Sequence, residues 1–206
     1  MLPLAVAIAL LGVSFGLLAT SAGLSPLAAV VMSLTTFAGS AQFASVSLLG
    51  AGAGVATAVG AAALLNARYL AMGLALAPSL RGGPWRRLIL AQLSVDESWA
   101  IAYSGAGRFS EERLVGAALV LLAVHTTSTA VGAAGGRLVG APATWGLDAA
   151  FPALFVVLLW PHVRQREGLI AALLGAAIAL ALTPVAPPGM PVLAAALAAF
   201  VGLKPR

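Results

Sequence analysis

Long apolar runs alternate with short breaks that carry charges, prolines or glycines, a pattern typical of a polytopic membrane protein. The runs predict eight segments, at about Pro3–Ala22, Ser25–Leu49, Ala53–Ala77, Leu88–Tyr103, Leu114–Ala134, Leu147–Trp160, Gly168–Leu182 and Met190–Leu203. A full crossing needs about 20 residues, and the last three segments are shorter. We therefore predict an all-α fold of about seven or eight transmembrane helices, some of them broken.

The composition supports the membrane assignment. The 206 residues are 61% hydrophobic and 8% charged, with a mean hydropathy of +1.04. A soluble domain averages about 25% charged residues, so this chain has too few charges to cover a surface that faces water. We predict one transmembrane domain over residues 1–206, in the cell membrane, without a soluble domain.

The net charge and the cysteine content limit the partners and reactions that we expect of this chain. The net charge of +5 comes from scattered Lys and Arg residues between the apolar runs, where such residues set orientation and contact headgroups, so nucleic acid is not an expected partner. The chain has no cysteine, which excludes thiolate catalysis and cysteine-ligated metals. No HExxH motif or recognisable nucleophile pattern is present, so an intramembrane enzyme is disfavoured and no cofactor is expected.

Arg68, Asp96 and Glu97 stand out among the ionisable residues inside the predicted spans. Each lies about ten residues, or about 15 Å of helix, from the loop that joins the two segments. A short loop makes the segments antiparallel neighbours, so the cation and the acids should meet near the midplane of a bilayer core about 30 Å thick. Adjacent helical positions point about 100° apart, so only one acid can face Arg68 well.

This charge cluster has two interpretations. Intramembrane charges by default mark a substrate or proton site, since their burial is costly. The alternative is an ion pair that only fixes helix packing. Asn66 lies two positions before Arg68 and does not share its helix face; it serves a site or an interhelical hydrogen bond.

The second segment contains "TTFAGSAQFASV", in which Gly39, Ser40 and Gln42 interrupt an apolar run. We predict a broken helix here, with Ser40 or Thr36 capping a new half-helix. Such a helix start presents backbone N–H groups to a substrate carboxylate. In the first segment, "GVSFG" resembles this pattern, but close packing of small residues is the favoured interpretation.

The fifth segment carries "AVHTTSTAVG", with His125 deep in the span. The imidazole is suited to relaying protons because its usual pKa lies near neutrality. The neighbouring hydroxyls either support that role or bond back to their own helix carbonyls. The sequence leaves both interpretations open.

"SLTTFAGSAQFASV", "LLNARYLAMGLAL" and "LSVDESWAIAY" resemble the signature regions of the AzlC family, the large subunit of branched-chain amino acid exporters. The family forms G-x-x-Q-F, N-x-R and D-E-x-[FWY] fall here on Gln42, Asn66, Arg68, Asp96 and Glu97. The resemblance implies an inner-membrane exporter of valine, leucine and isoleucine, with methionine as a further candidate. It also implies a small hydrophobic subunit of the AzlD type as partner.

The residues are consistent with a secondary transporter. Arg68 and the half-helix after Gly39 would hold the carboxylate of an amino acid, while Asp96 or Glu97 would hold the ammonium group or carry a coupling proton. Apolar side chains would surround the branched side chain. The rival hypothesis is a non-transporting membrane assembly or sensor subunit whose buried charges are structural.

Overall fold

The computed structural model describes residues 2–139, 156, 159–160, 163–186 and 190–198. Ten α-helices lie in these ranges: α1 Leu2–Ser21, α2 Pro26–Thr36, α3 Gly39–Gly50, α4 Val55–Asn66, α5 Arg68–Leu76, α6 Pro84–Gln92, α7 Asp96–Ala102, α8 Glu111–Val139, α9 Arg166–Leu182 and α10 Met190–Ala195. The prediction of a nearly all-α fold is confirmed.

Within the described ranges, three helical stretches are long and apolar enough to cross a membrane, namely Leu2–Ser21, Val55–Ser79 and Glu111–Gly135. The count of about seven or eight spans stays a prediction. The sixth predicted segment, Leu147–Trp160, lies almost wholly outside the described residues, as does the end of the eighth.

The fourth predicted segment differs most from the structure. Its helix begins at Pro84 rather than Leu88, because proline fits the first turn of a helix, where no backbone donor is required. The segment is also not one helix, since the chain leaves the helix after Gln92 and resumes it at Asp96. The fifth segment, by contrast, is longer than predicted, because α8 begins at Glu111 and continues to Val139.

Between residues 2 and 139, three apolar segments are interrupted. Between α2 and α3, Phe37 takes a left-handed conformation with φ of 42°, which confirms the predicted break at this place. Ala67 separates α4 from α5. Between α6 and α7, Val95 is extended, and the Ser98 hydroxyl accepts from its N–H at 3.0 Å and donates to the Leu93 carbonyl at 2.7 Å.

Helices α1 and α8 form the most extensive helix contact of the described part. Glycines let their backbones touch: a Cβ built on Gly132 would lie 2.1 Å from the Val13 carbonyl oxygen, and one on Gly16 would lie 2.3 Å from that of Thr129. Helix α1 runs unbroken through Gly12 and Gly16. Close packing of small residues is therefore confirmed for "GVSFG".

The other helices are arranged around this pair. Helices α2 and α7 pack on α8, α3 packs on α4, and α10 joins α9 to α4. Phe15 of α1 meets Phe43 of α3 edge to face, with ring centroids 5.6 Å apart, in a core cluster. The half-helices are thereby held against the α1–α8 pair.

The contact between Gly132 and α1 predicts that the effect of a glycine-to-alanine substitution in α8 depends strongly on its position. Gly132→Ala should lower the free energy of unfolding by roughly 1–3 kcal/mol, because the new methyl group meets the backbone of α1. Gly116→Ala is the matched control on the same helix, since nothing lies within 4 Å of its built Cβ; it should be neutral or stabilising by up to about 1 kcal/mol. Thermal unfolding of the purified protein in detergent measures both, and equal melting temperatures would contradict the contact.

Candidate functional site

Arg68 lies at the interruption between α4 and α5, and its guanidinium contacts residues at the other two interruptions. Its Nη2 atom lies 2.6 Å from Asp96 Oδ2 and donates to Ser40 Oγ at 3.0 Å. Ser40 lies in the first turn of α3, and Arg68 and Asp96 are the first residues of α5 and α7. The predicted proximity of Arg68 and Asp96 is confirmed, but Asp96 begins a half-helix instead of lying within a continuous one.

The two acids have different surroundings. Asp96 pairs with Arg68, whereas the Glu97 carboxylate forms no ion pair within the described ranges. The prediction that only one of the adjacent acids would face Arg68 well is confirmed. Glu97 is left facing a cavity.

This cavity has a volume of about 70 Å³, several times the space that one water molecule needs. One part of its wall is polar or charged, formed by Ser40, Arg68, Tyr69, Asp96, Glu97 and His125. The apolar lining residues are Ile8, Leu11, Phe37, Val95 and Leu121, and Gly39 also lines the cavity. The cavity therefore suits a small solute with a charged end and an aliphatic end.

Arg68 has unused capacity for binding. Its Nε is buried without a hydrogen-bond partner among the described residues, and its guanidinium carbon lies 5.2 Å from the centre of the Tyr69 ring. Buried donors are normally satisfied, so an unpaired N–H on a side chain that lines a cavity indicates capacity for a further acceptor. A carboxylate is the acceptor that a guanidinium binds best.

His125 lies deep in α8 and is 5% exposed. Its ring is stacked on Phe15 at 6.2 Å, it bonds to the backbone of Ile8, and its Nε2 atom has no partner in the described part of the chain. The nearby hydroxyls of Thr127 and Ser128 bond back to their own helix at 2.7 and 2.6 Å. They do not form a relay with the imidazole.

Gln42 lies outside the cavity wall and is fully buried. Its Oε1 accepts from the Ala38 N–H at 3.3 Å, and its Nε2 donates to Ser33 Oγ at 3.1 Å. Ser33 Oγ lies 2.9 Å from Thr129 Oγ1 on α8. This chain of hydrogen bonds ties α2, α3 and α8 together around the first interruption.

The predicted cap of α3 is wrong. The residue at the cap position is Ala38, which has no capping side chain, and Ser40 instead accepts from Arg68. Thr36 ends α2. The Gln42 side-chain oxygen instead accepts from the N–H of the cap residue Ala38, as the glutamate or glutamine of a capping box does.

Asn66 ends α4 and is not part of the cavity wall. Its Oδ1 is buried without a partner in the described ranges, so its role stays a prediction. Sequence reasoning missed Tyr69, Phe37 and Val95, which line the cavity. Tyr69 was detectable as the neighbour of an intramembrane arginine, whereas no local signal distinguishes Phe37 or Val95 from other apolar residues.

The family model described as "AzlC protein" matches residues 3–139. The chain belongs to the AzlC family. The matched part of this AzlC-family chain ends with α8 and contains every residue of the cavity wall. The resemblance drawn from the three motifs is thereby confirmed.

Curated relatives cover most of the AzlC-family chain. The branched-chain amino acid transport protein AzlC of Bacillus subtilis (strain 168) is 29% identical over 174 residues, which are 83% of this chain and 68% of that protein. The inner membrane protein YgaZ of Escherichia coli (strain K12) is 31% identical over 190 residues, 85% of this chain and 76% of that protein.

An uncharacterized membrane protein of Helicobacter pylori (strain ATCC 700392 / 26695) is 29% identical over 176 residues, 83% of this chain and 76% of its own length. No solved structure matches the chain significantly. The membrane-protein relatives and the apolar helices together identify this AzlC-family chain as a multi-pass membrane protein.

The Gln42 network predicts a loss of stability on removal of its amide. Gln42→Met keeps the volume but leaves the Ala38 N–H without its partner, so the free energy of unfolding should fall by roughly 1–3 kcal/mol. Gln165→Met is the matched control, because Gln165 is exposed and makes no capping bond; its effect should stay within about 0.5 kcal/mol. Thermal unfolding in detergent decides, and an equal effect of the two substitutions would refute the network.

Proposed function

We propose that this AzlC-family chain is a secondary transporter that exports valine, leucine and isoleucine, with methionine as a further candidate. It acts together with a small membrane subunit of the AzlD type. The family match and the name of the Bacillus subtilis relative support a membrane transport role. The observation that carries the proposal is the Arg68 cavity, where charged and aliphatic walls meet at interrupted helices.

An amino acid zwitterion is complementary to this cavity. Its carboxylate takes the unpaired Nε side of Arg68, next to the Ser40 hydroxyl. Its ammonium group takes Asp96 or Glu97. The aliphatic side chain packs against Ile8, Leu11 and the other apolar wall residues, where each buried CH₂ contributes about 0.8 kcal/mol.

Substrate binding preserves charge balance. In the structure, Arg68 is neutralised by Asp96 at 2.6 Å. A zwitterion brings one charge of each sign, so both protein charges can keep an opposite partner while the pair opens. An uncompensated charge would be strongly unfavourable in this setting, which explains why a zwitterion is favoured over a simple cation or anion. Rearrangement of helix groups around this fixed site would then give alternating access, as in other transporters built from broken helices.

Export of labelled valine tests the proposal. Cells that hold a valine dipeptide would express the chain with its small subunit, and valine efflux would be measured. Arg68→Gln and Asp96→Asn should each lower efflux at least about tenfold, because each removes a charge-assisted bond. Arg87→Gln and Glu167→Gln are matched controls at exposed positions without an ion pair in the described ranges, and they should leave efflux unchanged.

The possible results separate the hypotheses. Unchanged efflux in the Arg68 and Asp96 variants, at matched membrane levels, would reject the site but keep the transporter. Absence of efflux from the wild-type chain, with the small subunit present, would reject branched-chain amino acid export. Loss of the variant proteins from the membrane would favour the rival function, a non-transporting subunit whose ion pair is structural, since one unpaired buried charge prevents folding.

A further inference from the structure

The two acids of the cavity are not equivalent, and the difference bears on how transport is coupled. Asp96 is held at 2.6 Å by Arg68, so these two charges cancel. Glu97 lines the same cavity with no ion pair among the described residues. Glu97 is therefore the carboxylate without a permanent counter-charge.

Among the described residues, the wall contains no lysine and no arginine other than Arg68. The titratable and charged groups that face the cavity are Arg68 and Tyr69 on α5, Asp96 on α7 and His125 on α8. The parts of α1 and α3 in the wall contribute aliphatic side chains, a glycine and the Ser40 hydroxyl. A lone carboxylate at membrane depth is costly, so it takes a proton or a cationic ligand.

We propose that the proton and the ammonium group of the substrate compete for Glu97, so that one proton moves inward for each amino acid that leaves. The proposal rests on the proposed function. A proton from water on the outer side forms an O–H bond with the Glu97 carboxylate. The arriving ammonium group displaces that proton to water on the inner side. Arg68 binds the substrate carboxylate, Asp96 remains the counter-charge of Arg68, and both keep their charges throughout.

Proton release on binding tests this competition directly. Calorimetric titration of valine into the purified complex, in two buffers of different ionisation enthalpy, counts the protons released. The wild type should release up to about one proton per valine, and affinity should weaken up to about tenfold per unit as pH falls. Asp96→Asn should bind more weakly and keep both properties. Glu97→Gln should release no proton and show an affinity independent of pH.

Glu97→Asp keeps the carboxylate and covers the case in which Glu97→Gln binds too weakly to measure. Its proton release should persist with a displaced pH midpoint, and an unchanged midpoint would overturn the proposal. Proton release that survives in Glu97→Gln, or disappears in Asp96→Asn alone, would also overturn it. Valine binding by the wild type without proton release would refute the coupling, whereas no valine binding at all would refute the proposed function itself.

A second inference comes from a different part of the molecule. A polar cleft of about 590 Å³ lies beyond the end of α5 and is lined by residues that include Ser79, Arg81, Arg86, Phe109, Glu111 and Glu112. Across it, Arg86 of α6 forms an ion pair with Glu111 of α8. The Arg81 N–H also donates to Glu111, at 3.3 Å.

An apolar cluster is built from the same helices that line this cleft and the Arg68 cavity. It consists of Leu76, Leu80, Leu90, Ala102 and Leu114, and we call it the plug. On α8, the order along the chain is Glu111 in the cleft, Leu114 in the plug and His125 in the cavity. From Glu111 to His125 the helix rises about 21 Å, more than half of a 30 Å hydrocarbon core.

The other helices repeat this order. Helix α5 passes from Arg68 in the cavity to Leu76 in the plug, and the 3₁₀ turn Ala77–Ser79 that follows brings Ser79 to the cleft. Helix α7 passes from Glu97 to Ala102, and the loop after it brings Phe109 to the cleft. We infer that the plug closes a route between cavity and cleft, and that the Arg86–Glu111 pair latches α6 to α8 in the closed form.

The absence of native cysteines makes this route directly testable. A single Leu114→Cys, fully buried in the plug, should react slowly with a membrane-impermeant thiol reagent in proteoliposomes that expose the cleft. Adding Glu111→Arg should raise the reaction rate by about fivefold, the most that an exposed ion pair is worth. Combining Arg86→Glu with Glu111→Arg should restore the slow rate, while Glu112→Cys in the cleft should react fast in every background.

The reaction rates of these variants test the plug and the latch separately. Leu114→Cys that reacts as fast as Glu112→Cys with the ion pair intact would show that no plug exists. Equal slow rates with the pair intact and reversed would show that the pair is no latch. Leu90→Cys, a second buried plug position on α6, should follow the same pattern and serves if Leu114→Cys fails to fold.

Discussion

The contact of one guanidinium with the first turns of two neighbouring half-helices organises the described part of the chain. Arg68 begins α5 and bonds to Ser40 near the start of α3 and to Asp96 at the start of α7. Irregular backbone at membrane depth is tolerated only where protein or a cavity supplies partners. The interruptions, the ion pair and the cavity therefore form one arrangement, in which each part stabilises the others in the absence of water.

This arrangement is predictable from the sequence where it depends on residues that are close together along the chain. Arg68 and Asp96 were placed at one depth because a short loop fixes helix neighbours and the rise per residue fixes depth. The interruption near Gly39 was marked by residues with no place in an apolar helix. Fewer structural features are predictable for the second half of the chain, because its segments carry few polar residues. The region around Leu147–Trp160 also lies outside the described residues.

The interruption between Gln92 and Asp96 could not be predicted, because Leu93, Ser94 and Val95 include neither proline nor glycine. Its stability comes from the Ser98 hydroxyl and from a cluster in which Val95 packs with Phe37 and Leu121. The role of Gln42 was hidden for a similar reason, since Thr129 approaches its partner Ser33 only in the folded chain.

The glycine contact between α1 and α8 has a consequence for recognition. Backbones that touch cannot slide past each other, so these two helices move as one body. That body carries Ile8, Leu11 and Leu121 of the aliphatic wall, whereas Ser40, Arg68 and Asp96 belong to the half-helices. Under the proposed function, a solute with a charged head and an aliphatic tail would contact Arg68 on a half-helix and Ile8 or Leu11 on this body at once. Its binding would then depend on the position of one body relative to the other.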